Sequence, residues 1–246
     1  MPTSPGQEGG KERVLLVDDD PNLLASTRRL LKDEFELFTA ESGQEALGAL
    51  AVCGPFTVIM ADLKMPGMDG IELLSRVSRS CPDTVRILLT GHADLQAAMD
   101  AANLGAVYRI LTKPCPPELL RLSVAAACEH AQLLRIAGLL HDIGKVYVPA
   151  DFLNRPGILR QEELSVIQMH PEVGYDILKH LDQDWPVAVI IRQHHERMDG
   201  SGYPQGLLGG FIVQGARILA VADVVDAMCS HRPYRPSLGI NAALAE

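Results

Sequence analysis

The first half of the chain alternates short apolar runs with stretches of helical spacing. Apolar runs stand at 13–17, 35–39, 57–61, 85–89 and 107–111, and helical patterns follow at 21–32, 43–52, 71–79, 95–103 and from Pro116 onward. Five alternations of this kind predict a parallel sheet with helices on both faces, because a crossover between parallel strands must run over a face of the sheet. After Pro116 the pattern changes. Leu, Ala and Ile recur at helical spacing through PPELLRLSVAAACEHAQLLRIAGLLHDIGK, where only Gly138 interrupts and no Pro/Gly-rich linker intervenes. The last helix of the first half is therefore expected to run into the one that carries His141, over about 40 Å if unbroken, with a break near Gly138 as the alternative. Further helical patterns at 161–180, 185–192 and 213–228, with few strand signals, predict an all-helical second half.

Candidate chemistry in the first half follows from the sheet. In doubly wound sheets ligands bind beyond the carboxyl ends of the strands. The polar residues in those places are Asp18, Asp19, Asp62, Thr90 and Lys113. One aspartate after a strand is ordinarily a helix cap or a turn residue. Three carboxylates at one sheet edge repel one another unless a hard cation lies among them, and Mg²⁺ suits oxygen donors. Lys113 adds a positive charge, and Thr90 a hydroxyl that can bond a phosphoryl oxygen.

Candidate chemistry in the second half centres on HHERMDGSGYP, His194 to Pro204. Imidazoles supply neutral nitrogen ligands to divalent metals, and adjacent side chains point apart, so a tandem pair can serve two ions. Gly200 and Gly202 are read as admitting positive φ, and Pro204 as stopping a helix. Two histidines alone read as a polar surface loop. Their company changes the reading: His141-Asp142, His170 and Asp223 lie on separate helical segments. Asp223 sits among Val, Ala and Leu, where a carboxylate needs a cation or a donor; Arg217 is the structural alternative. Six N/O ligands suffice to begin two metal sites, and two ions about 3.5–4 Å apart can clamp a phosphodiester. Mixed imidazole and carboxylate ligation suits Fe or Mn. Lys145, Arg232 and Arg235 are candidate phosphate contacts.

Composition narrows the class. The chain has 246 residues, 47% hydrophobic but only 4% aromatic, with a formal net charge of −9. That length fits two domains, and an acidic chain without a Lys/Arg run does not grip a nucleic acid polymer through its field. Five scattered cysteines without a CxxC pair fit free thiols and a cytoplasmic setting. Residues 1–12 form a polar tail, expected to be disordered, without an apolar signal core; no apolar run is long enough for a membrane span.

On VLLVDDDP, IMADLKMPGMDG, LLTGHAD and YRILTKP, roughly residues 12–130, the chain resembles the response-regulator receiver family. The resemblance implies a flavodoxin-like parallel five-stranded sheet of order 2-1-3-4-5. It also implies Asp62 as phosphoacceptor for a partner histidine kinase, Asp18, Asp19 and Asp62 around Mg²⁺, Lys113 at the phosphoryl oxygens and Thr90 as switch hydroxyl. Receivers of this family often pair through their last helices, so a homodimer is among the expectations. Ile110 stands where the family has the aromatic that moves with the threonine.

On LLHDIGK, HPEVG, HHERMDGSGYPQGL, ARILAVADVVDAM and RPYR, from about Leu139 to Arg235, the chain resembles the HD-GYP family of metal-dependent phosphohydrolases. That implies an all-α HD-type domain over 131–246 behind a receiver at 13–130. The implied activity is hydrolysis of cyclic di-GMP to pGpG or GMP, controlled by phosphorylation at Asp62. By position His141, Asp142, His170, His194, His195 and Asp223 hold the metals, Lys145 lies near the scissile phosphate, Arg232 and Arg235 contact the ligand, and Gly202-Tyr203-Pro204 shapes a loop beside the site. Two alternatives accompany this reading: a degenerate module that binds cyclic di-GMP or a protein without cleavage, and a hydrolase of a hyperphosphorylated guanosine, against which GYP argues. The family also has helices before HD that bring another His, sometimes with a Glu. Here only Glu129 and His130 lie just upstream, and on a straight helix His130 is about 16 Å from His141, too far to share an ion at metal–nitrogen distances near 2 Å. The chain ends at Glu246 inside an apparent helix. The domain is thus expected to be shortened at both ends, with one metal short of ligands.

Overall fold

The computed structural model describes residues 10–91, 107–154, 157, 159–180 and 186–229. The expected helix at 95–103, most of the N-terminal tail, and Arg232 and Arg235 lie outside the described residues. The chain divides into two compact units, Met1–Ala131 and Gln132–Glu246.

The first unit is built on five parallel strands: β1 (Arg13–Val17), β2 (Glu36–Ala40), β3 (Val58–Asp62), β4 (Val85–Gly91) and β5 (Arg109–Lys113), in the order β2-β1-β3-β4-β5. Alternate residues feed two cores, as the pleat requires. Val14, Leu16, Val58, Met60, Ile87 and Leu89 face one side, with Leu24 and Leu31 of α1 (Pro21–Leu31) and Leu120, Val124, Ala127 and Ala131 of α4 (Pro117–Leu140). Leu15, Val17, Ile59, Ala61 and Leu88 face the other, with Ala46 of α2 (Gly43–Cys53) and Leu73, Leu74 and Val77 of α3 (Gly70–Ser80). Local signals start the helices. Asp20, Ser42 and Asp69 each accept an amide of the first turn, and Glu45 reaches back to the amide of Glu41.

The strand expected at 107–111 begins two residues later. Val107 is buried but precedes the ladder, whose first pair is Ile87 with Arg109. Lys113 consequently ends the strand instead of following it.

Helix α4 runs unbroken through Gly138 for 24 residues, about 36 Å. Its front half packs in the first unit, while Ala137, with Leu133, Ile136 and Leu140, belongs to the core of the second. That core also holds Val187, Ile190 and Ile191 of α8 (Val187–Gln193), Ile212, and Ala216 and Leu219 of α9 (Gln214–Cys229). Between them lie a 3-10 helix (Ile143–Tyr147), α5 (Ala150–Asn154), α6 (Gln161–Ile167) and α7 (His170–Leu178); a second 3-10 helix, Gly209–Phe211, precedes α9. Among the described residues the second unit has no ladder, only the isolated bridge Asp199–Leu208. No described helix is long and apolar enough to cross a membrane.

The single helix expected at 161–180 is two. Pro171 has no N–H for the carbonyl of Ile167, four residues back, and is tolerated only in the first turn of a new helix. The carbonyl of Ile167 accepts instead from the ring of His170, at 2.8 Å. One proline thus ends α6, starts α7 and gives a histidine its partner.

Candidate functional site

The parallel register brings the first set of candidates to one edge. Val17 pairs with Ala61, Asp62 with Leu89, Thr90 with Thr112 and Gly91 with Lys113, so Asp18, Asp62, Thr90 and Lys113 converge at the carboxyl ends of neighbouring strands. Asp18, Asp19 and Asp62 each bring an oxygen within 4.8 Å of the others. Asp18 and Asp62 are buried; Asp19 is exposed. Lys113 Nζ lies 2.7 Å from Asp18 Oδ2 and 2.6 Å from Asp62 Oδ1. The other Asp62 oxygen accepts the Lys64 amide at 3.1 Å, and the hydroxyl of buried Thr90 donates to the Gly91 carbonyl.

Burial pushes the Asp62 carboxyl above its ordinary range; the Lys113 hydrogen bond and charge pull it back only in part, and Asp18 pushes it further up. Burial lowers Lys113, but its bonds to Asp18 and Asp62 more than reverse this and leave it raised. Three carboxylates against one ammonium remain short of positive charge, so the donor set fits a hard divalent cation with oxygen ligands.

The second set draws on three helix ends and the middle of a fourth helix. His141 follows α4, His170 opens α7 directly behind α6, His194 caps α8 with His195 next to it, and Asp223 projects from α9. His170 and His194 are almost wholly buried. His141, His170 and His194 share one device. Nδ1 of each meets the carbonyl three residues earlier: Gly138 at 2.7 Å, Ile167 at 2.8 Å and Ile191 at 2.6 Å. The last carbonyls of a helix have no partner within it, so a histidine at the end of a turn is drawn to them. A carbonyl only accepts, so Nδ1 must carry the proton and Nε2 is left with its lone pair.

Those lone pairs converge. His170 Nε2 and His194 Nε2 are 3.4 Å apart, and His170, His194 and His195 each place a nitrogen within 4.8 Å of the other two. Two unprotonated nitrogens cannot satisfy each other, but a cation bound at about 2 Å from each does so at this separation. Burial, with the neighbouring imidazoles adding to it, holds His194 down at about 4 and His195 at about 3; burial also lowers His170. The rings are therefore neutral at pH 7, the form that ligates metal.

Carboxylates border the imidazoles. Asp142 Oδ1 is 3.5 Å from His170 Nε2 and Asp142 Oδ2 is 3.5 Å from His141 Nε2. Asp223 lies 3.8 Å from His141 Nε2 and 4.0 Å from His195 Nδ1. Lys145 Nζ contacts Asp142 Oδ2 at 2.6 Å; burial pushes the Asp142 carboxyl up, and Lys145 with the nearby imidazoles brings it below its ordinary range. The chemistry of this set, neutral imidazole with carboxylate, fits a borderline transition metal better than Mg²⁺.

Two glycines make the approach possible. A Cβ on Gly144 would stand 2.0 Å from the His170 carbonyl, so only glycine lets the turn after His141-Asp142 lie against α7. A Cβ on Gly202 would stand 2.4 Å from the Glu196 backbone. Gly200 has the expected positive φ of +82°, but among the described glycines of the loop it is Gly206, at +64°, and not Gly202 that shares it; Gly202 is needed for close packing. Tyr203 lies on His195, with ring centroids 4.8 Å apart and planes 27° from parallel. His130 stacks on Tyr108 at 4.7 Å within the first unit. Glu196 and Gln193 were not among the candidates read from the sequence. Both are buried: Glu196 accepts the amides of Gln205 and Leu207, and Gln193 that of Val213. The signal available was a carboxylate directly after the tandem histidines and before a loop rich in unpaired amides.

Comparison with known proteins agrees with this division. Residues 14–125 match the response regulator receiver domain family and residues 118–246 the HD domain family. The cyclic di-GMP phosphodiesterase response regulator RpfG of Xanthomonas campestris pv. campestris is 30% identical, with 94% of this chain and 82% of that protein covered. The match extends over 312 positions, more than the 246 residues of this chain, so RpfG carries stretches within it that have no counterpart here. The 3'3'-cGAMP-specific phosphodiesterase 1 of Vibrio cholerae is 38% identical over 132 residues, covering 49% of this chain and 31% of that protein. The crystal structure of an adenylate cyclase from Rhodopirellula baltica is 42% identical with a TM-score of 0.52, covering 53% of this chain and 96% of the other.

Proposed function

Because the chain belongs to the HD domain family and carries a response regulator receiver domain ahead of it, we propose that it is a phosphorylation-controlled, metal-dependent phosphodiesterase acting on cyclic di-GMP. One observation carries the reading: the imidazoles of His170, His194 and His195, from two helix ends, place nitrogens within 4.8 Å of one another, with the carboxylates of Asp142 and Asp223 beside the imidazole cluster.

In the receiver, Asp62 is the phosphoacceptor and a histidine kinase the donor. Asp18, Asp19 and Asp62 hold Mg²⁺, Lys113 neutralises the incoming phosphoryl oxygens, and Thr90 turns its hydroxyl from the Gly91 carbonyl toward them. In the HD domain, His141, Asp142, His170, His194, His195 and Asp223 hold two divalent ions, of which Fe or Mn suits the donors best. When bound, these ions supply Lewis-acid activation of water and of the phosphodiester. His141, His170 and His194 contribute by keeping their protons on Nδ1, fixed by carbonyls. Lys145, tied to Asp142, presents an ammonium to the scissile phosphate, and Arg232 and Arg235 supply further phosphate contacts. Tyr203 with Gly202 and Pro204 walls the site next to His195.

The test is incubation of anaerobically purified protein with cyclic di-GMP and, separately, 3'3'-cGAMP, with and without acetyl phosphate. The reading expects pGpG or GMP from cyclic di-GMP at a rate that acetyl phosphate changes. Metal-replete protein that binds cyclic di-GMP and leaves it intact makes the output a binding module instead, and preferential cleavage of 3'3'-cGAMP reassigns the substrate.

A further inference from the structure

His195 differs from the other three histidines. Its Nδ1 faces Asp223 Oδ2 at 4.0 Å, where His141, His170 and His194 each place theirs against a helix-end carbonyl at 2.6–2.8 Å. It stands just beyond the end of α8, next to the capping residue His194. What touches its ring face is Tyr203, eight residues on, which reaches it because the chain doubles back.

The return is anchored at Glu196. This side chain is 5% exposed, and each of its carboxylate oxygens accepts a backbone amide from the far limb of the loop: Gln205 at 2.6 Å and Leu207 at 2.8 Å. Charge-assisted bonds of this kind are stronger than neutral ones, and two at once fix direction as well as distance. The near limb is drawn in by the Tyr203 amide on the His195 carbonyl at 3.2 Å and by the contact that only Gly202 permits. The carboxylate thus sits one residue after the ligand and holds the segment that follows the stacking tyrosine.

We propose that Glu196 is a positioning residue for the metal centre: by clamping residues 205–207 it keeps the Tyr203 ring flat on His195 and so aims a ligand that has no helix-end carbonyl to orient it. The inference rests on the metal-centre reading above. Glu196 touches neither metal nor substrate; it acts through Tyr203. The tyrosine contributes its ring face, not its hydroxyl, so phenylalanine should replace it and alanine should not.

The experiment titrates cobalt(II) into the metal-free full-length chain, with excess Mg²⁺ occupying the front carboxylates. It reads visible d–d absorption and retained cobalt for wild type, Glu196→Gln, Tyr203→Ala and Tyr203→Phe, with far-ultraviolet circular dichroism to confirm folding. Glutamine keeps one acceptor but turns an amide N–H₂ toward a backbone N–H. Glu196→Gln and Tyr203→Ala are expected to weaken cobalt binding by about tenfold and to shift the absorption band, while Tyr203→Phe matches wild type. A role confined to stability would lower the melting temperature and leave the spectrum of the folded fraction unchanged. Wild-type spectra and affinity in both Glu196→Gln and Tyr203→Ala overturn the proposal. If Glu196→Gln does not fold, the contrast between the two Tyr203 variants decides. Wild-type protein that takes up no cobalt overturns the metal centre itself, a result distinct from a variant that behaves as wild type.

Discussion

The two candidate centres gather their ligands on opposite kinds of backbone. In the receiver, short carboxylates stand at the ends of parallel strands, and the ladder aligns them by register alone. In the HD domain, imidazoles stand at helix ends and take their orientation from carbonyls the helices leave unpaired. The difference sets the charge. Asp18 and Asp62 are buried anions that lean on Lys113, so the front centre is held together by an ion pair before any metal arrives. His170 and His194 are buried and His195 half-buried, neutral groups whose nitrogens face one another, a centre with almost no attraction of its own. A strand-edge site is preformed; a helix-end site is poised.

The sharpest way to break the comparison is to remove a ligand from one centre and read the other. Asp142→Ala should strip metal from the HD domain and lower hydrolysis by a thousandfold or more, about 4 kcal/mol of barrier, while phosphoryl uptake from acetyl phosphate stays normal. Asp62→Asn should do the reverse: labelling disappears, and the metal content of the second domain is unchanged. Labelling that persists in Asp62→Asn moves the phosphoacceptor elsewhere. An active, metal-replete Asp142→Ala misplaces the second centre.

A smaller effect tests whether helix-end ligands depend on close packing. Gly144→Ala puts a Cβ where the His170 carbonyl stands, so the turn must move off α7. Overpacking of this kind costs about 3 kcal/mol, readable by urea denaturation, and should weaken metal binding as well. An unchanged denaturation midpoint would mean that the approach is not needed.

Acid sharpens the contrast further. His194 and His195 sit at about 4 and about 3 in the folded chain against 6.5 when free. Below pH 6.5 the unfolded chain takes up protons that the folded one refuses, so stability is full above that pH and falls as the pH drops toward 4 and then 3. For metal-free protein the loss in the second domain should reach about 2 kcal/mol for each ring by pH 5, followed by circular dichroism melts. A second domain equally stable at pH 5 and pH 7 would show that these rings are not buried neutral. The smallest effect concerns Cys128: burial pushes its thiol up to about 12, so iodoacetamide at pH 8 should leave it unlabelled in the native chain, and rapid labelling would contradict its packing.

The same contrast explains what the sequence made legible. The receiver edge could be read by counting, since an apolar run that stops at Asp18 or Asp62 marks its own end, and the sheet order follows from the alternation together with the family resemblance. β2 and β3 begin one residue later than the pattern suggests, and β5 begins two later because Val107 is buried without joining the ladder. In the second half the ligand types were legible as His and Asp on separate helical segments, but their anchors were not. The carbonyls of Gly138, Ile167 and Ile191 carry no side-chain signal, and Pro171 stands within an otherwise continuous helical pattern. Glu196 looked like one more charge in a polar loop, because its partners are backbone amides brought near only by folding.

The central claim is that the helix-end imidazoles enclose metal, and elemental analysis of protein purified without air tests it most directly. The account predicts iron or manganese at about two ions per chain, released when Asp142 is replaced and retained when Asp62 is. Metal-free protein that still hydrolyses cyclic di-GMP would contradict it.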